Sequence, residues 1–481
     1  MTATADAGVI GMAVMGRNLA KNIESRGNTV AIYNRTWAVT EEVMQWEHGK
    51  NAKFVPCREL KDFVAAIKRP RRIIIMVQAG KGTDAVIEQI APLLEQGDIL
   101  VDGGNAHWAD TDRRNAAAKG KPYFFVGMGV SGGEEGARLG PAIMPGGDKD
   151  AVEKLMPILR SIAAKAGPKN DEPCVTWCGN GSAGHFVKMV HNGIEYADMQ
   201  LIAEIYDLLH RGLQLQHDAC AATFRQWNTG ELASFLIELT GTIAGRKDTD
   251  AKALAKDPDA FLFDAIRDAA GQKGTGKWTT VAALEAGVPI PSITAAVDAR
   301  LLSAIQPERL AAWKATKKLI KRKKRVKLTV EELATALYGA KIAAYAQGMT
   351  LIKEAAKQRS YATDLGSIPA IWRGGCIIRA VFLDRITNAF TKQPALANLI
   401  VAEEFTADVA RTLPALRKVV AVASLGGIPV PALSASLSYI EGYTTGRLPA
   451  YVIQAQRDAF GSHTYERLKK PGTFIHTEWL G

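Results

Sequence analysis

The sequence predicts an α/β domain built on a doubly wound, mainly parallel sheet, followed by a large all-α domain and a C-terminal tail. Three observations carry that expectation. Short apolar runs alternate with amphipathic stretches through the first third of the chain. A glycine-rich turn follows the first of those runs. Beyond about Gly184 strand candidates become scarce, and Ala- and Leu-rich helical stretches continue to about Gly446. The expected divisions are 1–181, 182–445 and 446–481.

The strand candidates are Ala7-Gly8-Val9-Ile10, Val30-Ala31-Ile32-Tyr33, Ile73-Ile74-Ile75-Met76-Val77, Ile99-Leu100-Val101 and Phe124-Phe125-Val126. Residues 16–26 and 85–95 show helical spacing between them. Such alternation specifies parallel strands joined by right-handed crossovers. The segment after Gly446 is rich in polar and aromatic residues and reads as irregular, too poor in apolar residues for a core of its own.

The chain has 481 residues, 47% hydrophobic and 23% charged, the balance of a soluble protein of two or three domains. No run approaches the ~18 apolar residues of a membrane helix. The first residues lack the basic start and apolar run of a signal peptide. Five scattered cysteines read as reduced thiols, so a cytoplasmic protein is expected. Cys174 and Cys178 are spaced C-x3-C, but no second pair or His partner follows, so no metal site is expected. The net charge of +11 admits an anionic partner. Much of it lies between Lys314 and Lys327. No aromatics interleave that run, which reads as a solvated helix end, not a nucleic-acid site.

The turn after the first strand is Gly11-Met12-Ala13-Val14-Met15-Gly16, a G-x-A-x-x-G variant of the dinucleotide fingerprint. Gly11 suits the tight turn. Ala13 stands where the backbone nears a pyrophosphate, and Gly16 lets the helix approach the strand. The second strand ends in Asn34-Arg35-Thr36. No carboxylate stands there to repel a 2′-phosphate, and an arginine is available to hold it, which favours NADP over NAD. Two further glycine loops, Asp102-Gly103-Gly104-Asn105 and Val130-Ser131-Gly132-Gly133, also follow strand ends and complete one expected crevice.

The stretch "HFVKMVHNGIEY" begins the helical half. Lys188, His191, Asn192 and Glu195 share one helix face, with Tyr196 at its edge. Val187, Met189, Val190, Ile194 and Ala197 share the other. A solvated face is one reading of the polar side. Its variety, an amine, an imidazole, an amide, a carboxylate and a phenol, suits a site that binds a ligand and moves protons.

These stretches together resemble the 6-phosphogluconate dehydrogenase family from end to end. The resemblance is carried by "GVIGMAVMGRNLA", "NRT", "DGGN", "GVSGGEEGARLGPAIMPGG", "FVKMVHNGIEY", "GQKGTGKWT", "GCIIRA", "IPVPALSAS" and "QRDAFGSHTYERL". It implies NADP-dependent oxidative decarboxylation of 6-phosphogluconate to ribulose 5-phosphate in the pentose phosphate pathway, by a homodimer with shared active sites. NADP would be held by Gly11, Met12, Ala13, Val14, Met15, Gly16, Asn34, Arg35, Thr36, Val77, Gln78, Ala79 and Asn105. Gln78 departs from the family, which usually carries Lys there. The sugar acid and its phosphate would be held by Asn105, Ser131, Gly132, Gly133, His191, Asn192, Tyr196, Lys273 and Arg300, with Arg457 and His463 reaching in from a second subunit. Lys188 would be the general base and Glu195 the general acid.

The chemistry explains these residue types. A lysine acts as a base only when neutral, and its reference pKa is about 10.4. Burial and a cationic neighbour are expected to lower it. Residues at i and i+7 lie roughly 10 Å apart along a helix, so an amine and a carboxyl can address the two ends of a three-carbon unit. Two other readings stay open: a non-decarboxylating β-hydroxyacid dehydrogenase acting on another small acid, and an NADPH- or RNA-binding protein that uses the basic run.

Overall fold

The computed structural model describes residues 3–45 and 52–479. Seven strands form one sheet: β1 Ala7–Ile10, β2 Val30–Tyr33, β3 Phe54–Cys57, β4 Arg72–Ile75, β5 Asp98–Asp102, β6 Tyr123–Val130 and β7 Ile143–Gly147. Their order is β3-β2-β1-β4-β5-β6-β7. The first six run parallel and β7 returns antiparallel to β6. Alternate side chains enter opposite layers. Val9, Ile32, Ile74 and Val101 face one core, and Ile10, Ala31, Ile73 and Leu100 the other.

The five strands read from the sequence are present, and β3 and β7 add to them. Both added strands lie at sheet edges and both contain proline, Pro56 and Pro145. Proline has no N–H for a ladder, so it is tolerated at an edge and masks the strand in a propensity reading. The strand order reverses between β1 and β4, the switch point where open α/β sheets bind ligands.

Beyond Ala183 the described chain is mostly helical. The longest helices there are Ala183–Asp207, Val330–Gln358 and Glu403–Gly426. One continuous core, including Phe186, Phe224, Tyr338, Tyr345, Trp372 and Phe405, holds this half together. Among the described residues, no helix is long and apolar enough to cross a membrane.

The helix Ala183–Asp207 is buried on both faces, not laid on the surface. Val187, Val190, Ile194 and Ala197 enter the helical core, while Lys188 and His191 are buried against the sheet. Glycines permit this approach. A Cβ on Gly184 would lie 2.4 Å from the carbonyl oxygens of Gly127 and Met144, and one on Gly129 would lie 2.5 Å from Cβ of Lys188. The helix therefore rests directly on the backbone of β6 and β7.

The tail is not irregular, as its composition suggested. It forms a helix, Ala450–Gly461, and a hairpin, Tyr465–Arg467 with Lys470–Ile475. Its centre is a buried carboxylate. Asp458 accepts from Thr464 N (2.9 Å), Thr477 N (3.1 Å), Trp479 Nε1 (2.7 Å) and His476 Nδ1 (2.9 Å). A segment organised by polar bonds leaves no apolar period to read. Its apolar side chains, Tyr451, Ile453, Phe460, Leu468 and Phe474, are exposed.

The helix seat yields a stability test. Gly184→Ala places a methyl against backbone that cannot yield, and overpacking of this kind costs about 1–3 kcal/mol. Gly82→Ala meets nothing closer than 3.6 Å and is expected to be neutral or slightly stabilising. Urea denaturation of the two variants distinguishes a true seat from a chance glycine.

Candidate active site

The fingerprint turn leaves β1 at the switch point. Gly11 has φ +96°, and a Cβ there would lie 2.6 Å from the carbonyl oxygen of Met76 after β4. Gly16 is excluded from bearing a side chain by the turn itself, since its Cβ would lie 1.9 Å from the Gly11 carbonyl oxygen. Helix Val14–Ser25 begins there with Ala13 extended and exposed, its first amides turned outward. Met12 N donates to Asn34 Oδ1 (3.1 Å), and Asn34 Nδ2 donates to Thr36 O (3.1 Å), which couples the turn to the end of β2. Arg35 and Thr36 are exposed beside it. Val77 and Ala79 are half-buried after β4, while Gln78 is exposed.

The loop after β5 is shaped by Asp102. It receives Gly104 N (3.0 Å) on one oxygen and Arg114 Nη1 (2.9 Å) on the other. This buried pair presents Asn105 at the surface of the crevice. After β6, Gly132 adopts φ +101°, and its Cβ would lie 2.6 Å from the Gly375 carbonyl oxygen. The Ser131-Gly132-Gly133 turn is thus clamped between β6 and the distant "GGCIIRA" loop.

The polar face of helix Ala183–Asp207 meets this turn. Lys188 Nζ lies 2.6 Å from Asn192 Oδ1 and 3.4 Å from Ser131 Oγ. His191 Nδ1 is 3.1 Å from the same Asn192 oxygen, and Nε2 is 3.4 Å from Ser131 Oγ. The amide oxygen of Asn192 can only accept, so Nδ1 carries the imidazole proton and Nε2 accepts from the serine hydroxyl. Glu195 Oε2 lies 4.0 Å from His191 Nδ1. The four groups predicted from helical spacing, Lys188, His191, Asn192 and Glu195, therefore form one cluster with Ser131 of the glycine loop.

Burial sets the protonation of the cluster. Desolvation holds the Lys188 ammonium below its usual range, against the opposing attraction of Glu195 and of the Cys376 thiol. The expected cationic neighbour of Lys188 is not the cause. Burial alone lowers its pKa, and the neighbouring groups work the other way. His191 is held well below 6.5, by burial and then by the charge of Lys188, and stays neutral. Burial raises Glu195, offset in part by Lys188 and Arg300. A lysine biased toward the free amine and a carboxyl biased toward the acid are the pair that proton abstraction and proton return require.

Tyr196 turns toward the helix Thr275–Ala286. A Cβ on Gly276 would lie 2.7 Å from its ring, and Thr279 Oγ1 donates to Met189 O (2.9 Å). The Arg300 guanidinium lies 3.6 Å from the centre of the Tyr196 ring, and its Nη1 donates to Gly271 O (3.4 Å). Lys273, two residues further along that loop, is exposed and in no ion pair among the described residues. Arg457 and His463 do not join the cluster. They are exposed, with contacts inside the tail: Arg457 Nη1 to Gln454 Oε1 (3.0 Å) and the His463 ring to that of Phe460. Among the described residues, no group of three or more His, Cys, Asp and Glu side chains is arranged to hold a metal ion.

Two contributors were not anticipated. Trp372 packs its ring edgewise against His191, with centroids 5.7 Å apart. The Cys376 thiol, pushed up to about 12 by burial, lies near enough to Lys188 to influence it. Both belong to the loop that clamps Gly132, and nothing in their local sequence reports that contact.

Two family models divide the chain: the NAD binding domain of 6-phosphogluconate dehydrogenase over residues 6–179 and the 6-phosphogluconate dehydrogenase C-terminal domain over 184–479. The chain belongs to the 6-phosphogluconate dehydrogenase family. It is 49% identical over 478 residues to a decarboxylating 6-phosphogluconate dehydrogenase of Lactococcus lactis, covering 99% of each chain. Identity to the Escherichia coli enzyme of the same name is 50% over 474 residues, 98% of each chain. A solved 6-phosphogluconate dehydrogenase of Plasmodium falciparum superposes with a TM-score of 0.92 at 43% identity, over 98% of this chain and all of that one. That protein is described free, with its cofactor NADP+ and with its substrate 6-phosphogluconate.

The buried amine has a thermodynamic signature. A lysine whose folded pKa is depressed costs stability below that pKa, and the cost vanishes as pH rises past the unfolded value of 10.5. Lys188→Met is therefore expected to melt higher than the parent at pH 7, with the difference shrinking toward pH 10.5. Thermal denaturation across that range checks the sign.

Proposed function

We propose that this chain catalyses the NADP-dependent oxidative decarboxylation of 6-phosphogluconate to ribulose 5-phosphate, carbon dioxide and NADPH. The observation that carries the reading is the buried Lys188–Asn192–Ser131 contact at the mouth of the nucleotide crevice, with Glu195 further along the same face. The crevice fits a dinucleotide: side chains are excluded at Gly11 and Gly16, free helix amides face outward, and Arg35 stands beside a fixed Asn34. NADP supplies the hydride acceptor for C3.

The chain's own groups do the rest. Neutral Lys188 takes the proton of the C3 hydroxyl as hydride leaves that carbon. The ammonium so formed faces the new carbonyl and draws electrons toward it as the C1 carboxylate departs as carbon dioxide. Glu195 then gives its proton to C1 of the enediol, completing ribulose 5-phosphate. Neutral His191 donates through Nδ1 and accepts through Nε2, so it holds Asn192 and Ser131 in register and does not compete for the proton. Ser131, Gly132, Gly133, Asn105 and Asn192 bind the sugar acid, and Tyr196, Lys273 and Arg300 its phosphate. In this scheme no step calls for a metal.

The working unit is a homodimer in which Arg457 and His463 of the partner subunit complete each phosphate site. The exposed apolar face of the tail supports this, since a monomer would leave Tyr451, Ile453, Phe460 and Phe474 in water. The buried free cysteines suit a reducing cytoplasm. The three proposed units are 1–181 for the cofactor, 182–445 for substrate and dimer contacts, and 446–481 for the crossing tail.

NADPH absorbance and carbon dioxide release with NADP and 6-phosphogluconate test the reaction. Loss of a general base lowers rate by about 10²–10⁴-fold, so Lys188→Met is expected to lose at least that much. Unchanged turnover in that variant would overturn the scheme. For the tail, a hybrid dimer of one Lys188→Met subunit and one Arg457→Ala subunit is expected to regain about half of parental activity, because crossing tails collect both defects in one site. A hybrid as poor as its parents would show that each tail serves its own subunit.

A further inference from the structure

Arg35 is the arginine that the sequence places at the adenosine end of the cofactor. The sheet brings a second one beside it. Strands β2 and β3 pair in parallel with Tyr33 opposite Cys57, so the residues leaving the two strands emerge side by side, about 4.8 Å apart. Those residues are Asn34-Arg35 on one strand and Arg58 on the other. The Arg58 guanidinium lies 4.6 Å from the ring centre of Trp37, the first residue of the helix that follows Thr36.

Three features make this more than surface packing. Arg58 is exposed and in no ion pair among the described residues, so its donors are not consumed by the protein. Trp37 is half-buried, and its indole N–H is enclosed with no acceptor. The ring is therefore not held for its hydrogen bond, and what it offers is an apolar face. A guanidinium lying on such a face keeps its planar N–H edge free for an anion. Asn34, in contrast, spends its side chain on Met12 N and Thr36 O. No lysine occurs between Asn34 and Val43, so the cations at this end of the crevice that come from the two strand ends are Arg35 and Arg58.

We infer that Arg58, carried on the ring of Trp37, is a second guanidinium of the adenosine 2′-phosphate clamp and sets the preference for NADP together with Arg35. This rests on the reading of the chain as an NADP enzyme. A phosphate carrying close to two negative charges accepts from two forks at once, whereas the ribose hydroxyl of NAD offers Arg58 only a neutral acceptor and no charge to pair. Trp37 is the positioning residue: it fixes the guanidinium before the ligand arrives, so less rotamer freedom is lost on binding.

Calorimetric titration with two probes, adenosine 2′,5′-bisphosphate and adenosine 5′-monophosphate, tests this. Arg58→Ala is expected to weaken the bisphosphate by about tenfold or more, the loss of one charge-assisted contact, and to leave the monophosphate unchanged. Trp37→Leu is expected to weaken only the bisphosphate, and Arg58→Lys to recover part of the loss. In turnover, KM for NADP rises in Arg58→Ala while kcat at saturating NADP holds and kcat/KM for NAD is unaffected. Equal weakening of both probes, or of neither, overturns the assignment of Arg58. A parent protein that binds the two probes equally well would overturn the NADP reading itself, and the assignment with it.

Discussion

The structure depends on one close approach: the helix Ala183–Asp207 lying on the bare backbone of β6 and β7. Glycines at 127, 129, 146 and 184 remove the side chains that would keep a helix about 10 Å from a sheet. With that layer gone, Cβ of Lys188 is brought to the strand that leads into Ser131, and an amine from one half of the chain reaches the serine turn of the other. The nucleotide crevice and the Lys188 cluster are joined through this seat. A larger residue at any of these positions would meet atoms of the facing layer and work against this approach.

The same approach supplies the chemistry. A lysine on a solvated helix face would be an ammonium throughout the physiological range. Here burial disfavours the charge, while Glu195 and Cys376 pull the other way and only partly offset it. Glu195 feels the mirror image, raised by its own burial and checked by Lys188 and Arg300. The protein thus pays in stability for two ionisable groups that are biased toward their uncharged forms. His191, held neutral by burial, sits between them with the edge-on ring of Trp372 packed against it.

What local sequence reveals is what local physics determines. Strand runs of Val, Ile and Leu, the Gly11–Gly16 turn and the mixed polar face of Lys188 to Tyr196 are written in contiguous residues. The edge strands were hidden because Pro56 and Pro145 break the apolar run, and the tail was misjudged because Asp458, not an apolar stripe, organises it. Trp372, Cys376 and the Arg58–Trp37 stack were beyond reach for another reason. Each meets the site through a loop clamp or a strand register between segments far apart in the chain, and no periodicity encodes that meeting. The converse also occurs: Lys273, Arg457 and His463 were singled out by resemblance, yet one chain alone does not gather them around Lys188.

The central claim is that the fold biases Lys188 toward the free amine at the crevice. Its side-chain nitrogen can be followed directly, by the pH dependence of the 15N resonance of labelled lysine Nζ, with Lys188→Met identifying the signal. A midpoint clearly below 10.5, with the signal protected from solvent exchange, is the expected result. A midpoint at or above 10.5, as for a lysine in open solvent, would contradict it.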